Sequence, residues 1–221
     1  MEIRTSRFVD GASSAVGLAV VFDVFRASNT VLGCFGAGAV GVVPVGGLGE
    51  AYRLKEENPN YLLVGEREGL PPEGFDVGNS PYLISKMDLS GKTVVFSSSA
   101  GSQGIVAAVN AEEVLIGSFA NAGPLVSHIL ERDPDVVSLV AMGLNGNEKA
   151  IEDEECANFI REKLLGNDAD FEGIRNRILE GNGAKRLRQL GQEKDLEISL
   201  QMDIYDIVPG YDRVSNRIVV L

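Results

Sequence analysis

The stretch "VVFDVFRASNT", residues 20 to 30, decides the fold. Its apolar run continues without alternation, which is typical of a strand that is covered on both faces. The run ends in Asp23, and small polar residues follow Arg26 before a helical pattern over Ser28–Ala37. The stretch predicts a strand, a turn and a helix, with an acid and a base at the end of the strand where α/β proteins hold ligands.

Short apolar runs and helical patterns alternate along most of the chain. The predicted strands are Val16–Phe22, Val40–Val45, Tyr61–Gly65, Thr93–Ser97, Val114–Gly117 and Val136–Ala141. The predicted helices are Ser28–Ala37, Leu48–Glu57, Ser102–Asn110, Ala122–Glu131 and Asp153–Leu165. This alternation indicates an α/β fold with three α/β/α layers, a mostly parallel or mixed sheet and one domain over residues 1–221. After Gly166 the pattern predicts a helical C-terminal region, and the last apolar run, Arg217–Leu221, predicts a terminal edge strand.

Composition restricts the class of partner. The 221 residues carry a formal net charge of −12, which argues against nucleic acid and an anionic membrane surface, because both require basic surface. A small anionic substrate stays compatible with this charge, since a few local arginines or a metal ion can reverse its sign at one site. The sequence allows a homo-oligomer without specifying one.

The cysteines and the N-terminus suggest a compartment. Cys34 and Cys156 lie far apart in apolar segments, so we expect two core thiols in a reducing cytoplasm and no disulfide framework. The N-terminal residues lack the pattern of a secretory signal, and the apolar run 15–25 is too short to span a membrane. We therefore expect a cytoplasmic protein.

Polar residues follow several of the other predicted strands. They lie in "GEREGLPPEGFDVGNSP" (65–81), "SSSAGS" (97–102), "GSFANA" (117–122) and the start of the helix after the sixth strand. Because the carboxyl ends of parallel strands share one edge of a sheet, we expect these side chains to converge. The candidates are Glu66, Arg67, Asp76, Asn79, Ser98, Ser99, Gly101, Ser102, Ser118, Asn121, Glu152 and Asp153.

These residue types suit one kind of ligand. Clustered carboxylates repel one another unless a cation lies among them, and hard oxygen ligands favour Mg²⁺. Arginines and the amides of helix N-termini bind phosphate oxygens. The pattern therefore predicts a metal-assisted site for a small anionic phosphoryl compound.

Other interpretations stay open. Arg26 could form a structural ion pair with Asp23, whose burial would otherwise be costly. The serines of 97–102 could serve only as helix caps, and Asp153 and Glu154 could only complement a helix dipole. His128, the single histidine, is expected to be structural.

Three known phosphatase chemistries do not fit. The familiar aspartyl-nucleophile type of phosphatase has a second Asp two positions after the first, where this chain has Phe25 after Asp23. A cysteine nucleophile requires Arg six positions later, whereas Arg161 follows Cys156 by five. One histidine and two distant cysteines form no zinc set.

Four segments, in order, resemble the 2-phosphosulfolactate phosphatase family. They are "DVFRASNT", "GEREGLPPEGFDVGNSP", "GSFANA" and "IEDEECA". At the fourth strand end the family typically has a threonine run followed by Asn–Gly–Thr, whereas this chain has "SSSAGS", with Ala100 in place of the amide.

The resemblance implies a three-layer α/β fold and Mg²⁺-dependent hydrolysis of 2-phospho-3-sulfolactate to 3-sulfolactate and phosphate, in coenzyme M biosynthesis. On this hypothesis the catalytic residues are Asp23, Arg26, Glu66 and Arg67. The metal ligands are Asp23, Glu66 and Asp76, with Glu152 or Asp153. The substrate-binding residues are Asn79, Ser98, Ser99, Gly101, Ser102, Ser118 and Asn121. The alternatives are a Mg²⁺ phosphatase for another small phosphorylated carboxylic acid, suggested by Ala100, and a non-catalytic sensor of organic anions.

Overall fold

The apolar runs of the sequence become strands of one sheet in the computed structural model, which describes residues 1–221. The strands are β1 (Glu2–Arg7), β2 (Gly17–Phe22), β3 (Gly41–Pro44), β4 (Leu62–Gly65), β5 (Val77–Gly78), β6 (Thr93–Ser97), β7 (Ala111–Gly117), β8 (Val136–Ala141), β9 (Pro209–Asp212) and β10 (Arg217–Val220). Their spatial order is β1-β8-β2-β7-β9-β10-β3-β6-β4-β5. The long apolar strands β2, β6 and β8 have neighbours on both sides, as their continuous patterns predict.

The sheet consists of two parallel halves joined by an antiparallel hairpin. In one half, strands β1, β8, β2 and β7 pair parallel with one another, and in the other half β3, β6, β4 and β5 do so. Strands β9 and β10 pair antiparallel with each other, with β7 and with β3. The prediction of a mixed sheet is confirmed.

The position of the last strand corrects one expectation. Strand β10 was predicted to lie at an edge of the sheet, but it lies between β9 and β3, and Ile218 at its centre is fully buried. A short apolar run shows that a strand is covered, but it does not show how many strands flank it.

Helices cover both faces of the sheet, which confirms the three layers. The helices are α1 (Phe8–Ser13), α2 (Ala27–Gly36), α3 (Leu48–Glu57), α4 (Pro81–Ile84), α5 (Gly101–Ala107), α6 (Ala122–Arg132), α7 (Ile151–Leu164), α8 (Phe171–Glu180), α9 (Asn182–Gln189) and α10 (Glu193–Ser199). None of them is long and apolar enough to cross a membrane.

Three apolar clusters hold these layers together. The first joins α1, α2 and α5 to both halves of the sheet, including Val21 and Phe96. The second cluster packs α6 to α10 on the opposite face of the half that contains β2. The third cluster packs α3 on the opposite face of the half that contains β6. The inner helices, α2 and α5, thereby bring the carboxyl ends of β2 and β6 close to each other.

Two N-terminal elements escaped prediction. Strand β1 forms the edge of the sheet, and its side chains are mostly exposed and polar, so its sequence carries no apolar run. Helix α1 follows directly and has only six residues, too few for a periodic pattern.

Candidate active site

The carboxyl ends of β2, β4, β6 and β8 open into one cavity of about 440 Å³. The residues that follow these strands therefore meet, as the sequence predicts. The predicted residues that line the cavity are Asp23, Arg26, Glu66, Asn79, Ser99, Glu152 and Asp153.

Asp23 lies between the starts of two inner helices. Its carboxylate accepts a hydrogen bond from the Ala27 N–H at 3.1 Å and another from the Gly101 N–H. Its side chain is 6% exposed. The pKa of Asp23 is raised to about 6, mainly by this burial and also by the nearby Glu66 carboxylate, against the effect of the two amides.

Glycine is required at position 101, although for a reason other than direct substrate contact. A Cβ there would lie 2.8 Å from Asp23 Oδ2 and would also overlap the Cβ of Ala27. Gly101 therefore lets α5 approach the Asp23 carboxylate closely.

Asp153 joins the ends of two strands. Its Oδ1 accepts from the Val24 N–H at 2.7 Å, and its Oδ2 accepts from the Gly143 N–H at 2.8 Å. Burial raises the pKa of Asp153 well above its usual value, and the charges of Asp23 and Glu152 add to this rise. Asp153 therefore fixes the loops that follow β2 and β8 next to each other.

Glu152 is the acid of the cavity with a free oxygen. Its Oε2 is buried and has no hydrogen-bond partner. Burial raises the pKa of Glu152 to about 7, and the charge of Asp23 contributes. A buried carboxylate oxygen without a donor is costly unless a ligand supplies one.

Glu66 plays a bridging role in the β6 half. Its Oε1 accepts from the Ser99 N–H at 2.7 Å, and its Oε2 accepts from the Gly69 N–H at 2.8 Å. The two loops that follow β4 and β6 are thereby held together at the cavity wall.

Arg26 is paired, but not with Asp23. Its Nη1 lies 2.7 Å from Asp195 Oδ2, and its Nη2 donates to the Gly69 carbonyl at 3.0 Å. Both side chains of the ion pair are almost fully buried, at 4% and 3% exposure. The structural pair with Asp23 that the sequence left open does not form.

Asp195, on α10, is a site residue that the sequence did not reveal. Besides Arg26, it accepts from Ser80 Oγ at 2.6 Å and from the Tyr82 N–H at 3.0 Å. It lies in a charged helical segment in which several other acids are exposed. Asp195 differs from these acids only in being buried, and the pattern of charges along the sequence does not show which acid is buried.

The serine segment divides into two roles. Ser98 and Ser102 bond each other's backbone N–H groups, and Ser102 Oγ donates to the Val45 carbonyl at 2.9 Å. Ser98 Oγ thus accepts an N–H from the first turn of α5, whose N-cap is Ala100, and neither serine lines the cavity, which favours a structural role for both. Ser99 and Ala100 line the cavity.

Four further candidates also lie outside the cavity lining. Asp76 accepts from the Leu63 N–H and pairs with Lys55, and Arg67 donates to Ser97 Oγ. Ser118 and Asn121 form a buried capping box. Their polar atoms are occupied by local backbone and side-chain bonds, so the structure does not bring Asp76, Arg67, Ser118 or Asn121 to the substrate space.

The C-terminal helices supply cavity residues that the sequence analysis missed. Arg186, Gly183 and Leu187 of α9 line it, and so does Lys149 from the loop before α7. The signal that could have found Arg186 is the basic run "KRLR" in an otherwise acidic chain.

The remaining reactive side chains lie elsewhere. Cys34 and Cys156 are free and buried, as predicted, and burial raises the pKa of Cys34 to about 12. His128 Nε2 lies 3.4 Å from Glu113 Oε1, remote from the cavity lining.

The acids of the cavity could supply only part of a metal site. No three acidic, histidine or cysteine side chains converge into a complete metal site. Mg²⁺ in phosphoryl-transfer sites is commonly held by one or two carboxylates together with substrate phosphate and waters. The charge of Asp23 raises the pKa of Glu152, and a cation at the partner-free Oε2 of Glu152 would offset that repulsion.

Comparison with known proteins identifies the family. The model of the 2-phosphosulpholactate phosphatase family matches residues 5–213. The chain is 35% identical over 204 residues to a probable 2-phosphosulfolactate phosphatase of Thermotoga petrophila, covering 86% of this chain and 87% of that protein. It is 32% identical over 200 residues to a protein of the same description in Thermoplasma volcanium, covering 90% and 91%. The chain therefore belongs to the 2-phosphosulpholactate phosphatase family and is a phosphoric monoester hydrolase.

Proposed function

We propose that this protein is a Mg²⁺-dependent phosphatase that hydrolyses 2-phospho-3-sulfolactate to 3-sulfolactate and phosphate, in coenzyme M biosynthesis. The observation that carries the proposal is the convergence of Asp23, Glu152 and the buried Arg26 on one cavity of about 440 Å³. The names of the relatives supply the substrate. The two free thiols accord with a cytoplasmic location.

Asp23 and Glu152 are the metal ligands of this proposal. When bound, Mg²⁺ supplies positive charge to the phosphoryl oxygens and removes the repulsion between the two carboxylates. Glu66 and Asp153 use both of their oxygens to hold backbone amides, so they shape the site.

Arg26 stabilises charge on the phosphoryl group. Its guanidinium is fixed by Asp195 and the Gly69 carbonyl before substrate arrives, so little reorganisation is needed during the reaction. The ester P–O bond breaks as an oxygen nucleophile attacks phosphorus, and the departing alkoxide takes a proton to become the hydroxyl of sulfolactate.

Asp23 has two roles to distinguish. It either ligates the metal ion while water attacks, or attacks phosphorus itself and forms an acyl phosphate that water then hydrolyses. Rapid quenching with labelled substrate separates them, because only the second route leaves label on the protein.

The direct test is phosphate release from 2-phospho-3-sulfolactate with Mg²⁺ and with a chelator. We expect turnover that depends on Mg²⁺ and exceeds that of simple phosphoesters. Absence of turnover by the folded protein in every condition would overturn the proposal.

Ala100 favours a second candidate. This residue lines the cavity where the family typically has an amide, so the change lies in the space proposed for the substrate. A phosphatase for another small phosphorylated carboxylic acid would prefer that acid to the sulfonate compound in the same assay. The non-catalytic sensor is set aside, because membership of a phosphatase family favours an enzyme.

A further inference from the structure

Two cations of the cavity have no ion-pair partner. Arg26 is bound to Asp195, but Arg186 and Lys149 line the same cavity and form no ion pair or side-chain hydrogen bond within the chain. Arg186 is half-buried, so its charge is held at the site while Lys149 extends into solvent. An unpaired, partly desolvated guanidinium inside a cavity is suited to an anionic ligand.

Helix α9 carries Arg186 across the mouth of the site. At its start, Gly183 packs directly against the Glu152 carboxylate. One turn later, Arg186 Nη2 lies 3.6 Å from the point that a Cβ of Gly69 would occupy, and the Gly69 carbonyl binds Arg26. The guanidinium groups of Arg26 and Arg186 therefore flank Gly69. That of Arg26 is paired with Asp195, and that of Arg186 has no partner.

A substrate with a second acidic group needs such a free cation. Asp23, Glu66, Glu152 and Asp153 make the cavity strongly acidic, and the whole chain carries a net charge of −12. A carboxylate or sulfonate that entered beside these acids would be repelled unless a nearby cation compensated for it. A guanidinium offers two parallel donors that match the oxygens of either group.

We propose that Arg186, assisted by Lys149, binds the acidic group of the substrate that is not transferred, a carboxylate or a sulfonate close to the phosphoester. This inference rests on the proposed phosphatase function and assigns substrate selection to the C-terminal helix α9. Arg26 serves the phosphoryl group, and Arg186 serves the remainder of the molecule.

The test combines hydrolysis with binding for the wild type and Arg186→Gln. The substrates are 2-phospho-3-sulfolactate, 2-phospholactate, the phosphate ester of 2-hydroxyethanesulfonate, and ethyl phosphate, which has no second acid. We expect kcat/KM to fall about 10- to 100-fold for the substrates whose acid Arg186 binds, mainly through KM, with less than about a twofold change for ethyl phosphate. A loss with phospholactate identifies the carboxylate, and a loss with the sulfonate ester identifies the sulfonate.

Binding affinities measured by calorimetry test the inference even if no substrate is turned over. We expect Arg186→Gln to weaken binding of 3-sulfolactate about 10- to 100-fold and to leave that of inorganic phosphate within about twofold. Arg186→Lys should recover part of the loss, since it keeps the charge without the planar fork. Lys185→Gln, an exposed neighbour outside the cavity, is the matched control and should match the wild type.

Two results would overturn the inference. One is an equal loss for ethyl phosphate and for the acidic substrates, and the other is unchanged sulfolactate binding in a folded Arg186→Gln variant. A wild type that binds sulfolactate through Arg186 but hydrolyses no phosphoester would instead contradict the proposed function alone.

Discussion

The cavity has two unlike sides, one built from strand ends and one from C-terminal helices. On the first side, the carboxylates of Asp23, Glu66 and Asp153 each accept backbone N–H groups, so the main chain fixes their positions. On the second side, Asp195 accepts one backbone N–H but also holds Arg26 in a buried ion pair, and Arg186 has no partner. The difference suggests that the strand-end side determines where the reaction occurs, while the helical side determines which anion is positioned there.

The largest expected effect follows a change on the strand-end side. Asp23→Asn should lower kcat/KM by about 10²- to 10⁴-fold, because the carboxylate is either a metal ligand or the attacking group. Its unfolding temperature at pH 8 should fall little, since the variant also removes a buried ionised group. Steady-state kinetics and calorimetry check both effects, with the exposed Asp10→Asn as the control. Full activity of Asp23→Asn would remove the distinction between the two sides.

The next effect falls on both stability and catalysis. Asp195→Ala leaves Arg26 buried without its partner, which should cost about 3–5 kcal/mol of unfolding free energy. We also expect kcat to fall about 10²-fold as Arg26 loses its position. Chemical denaturation and kinetics measure these effects, and Glu193→Ala, exposed on the same helix, is the control. Lost stability with wild-type kcat would show that α10 supports only the fold.

A smaller effect should appear where the two sides touch. A Cβ at position 183 would overlap the Glu152 carboxylate, so Gly183→Ala should displace that acid. We expect the Mg²⁺ concentration for half-maximal activity to rise about 10-fold, with kcat at saturating Mg²⁺ less affected. Gly49→Ala is the control, because no atom lies within 4 Å of its added Cβ. An unchanged Mg²⁺ requirement would argue against Glu152 as a ligand.

The smallest effect concerns pH and the strand-end acids. Folding raises the pKa of Asp23 from 3.8 to about 6 and that of Glu152 from 4.5 to about 7. The folded state therefore binds more protons than the unfolded state between about pH 4 and 7, and stability without metal should fall as pH rises through this window. Added Mg²⁺ should raise the unfolding temperature by several degrees more at pH 8 than at pH 5. Unfolding temperatures measured with and without Mg²⁺ from pH 5 to 8 test this expectation. An Mg²⁺ effect independent of pH would contradict the assignment of Asp23 and Glu152 as metal ligands.

The meeting of the strand-end residues at one cavity was predictable from the sequence for a physical reason. An acid such as Asp23 that closes a buried apolar run is unfavourable unless it is paired or ligated, so its presence is informative in itself. The strands Thr93–Ser97 and Val136–Ala141 and the helix Leu48–Glu57 have the predicted bounds. Thr93–Ser97 ends at a polar residue, and Asn58 and Pro59 follow the helix.

The helical side was not predictable in the same way. Asp195 and Arg186 lie in charged segments, where an acid or base at the surface is the normal case. Their place at the cavity depends on how α9 and α10 pack over the strand ends, which is a property of tertiary structure. The absence of Asp76 from the cavity lining has a similar origin, because its carboxylate accepts the backbone N–H of Leu63 on the neighbouring strand β4.

The hairpin of β9 and β10 constrains how the chain folds. These strands are the last in sequence order, yet they lie between β7 and β3 and provide the only strand pairing between the two halves of the sheet. During synthesis, no strand pairing can join the two halves until residues 209–220 have left the ribosome, and long-range pairing of this kind is slow. The inner helices α2 and α5, which contact both halves, would hold them together meanwhile, so the cavity can take shape before the sheet closes.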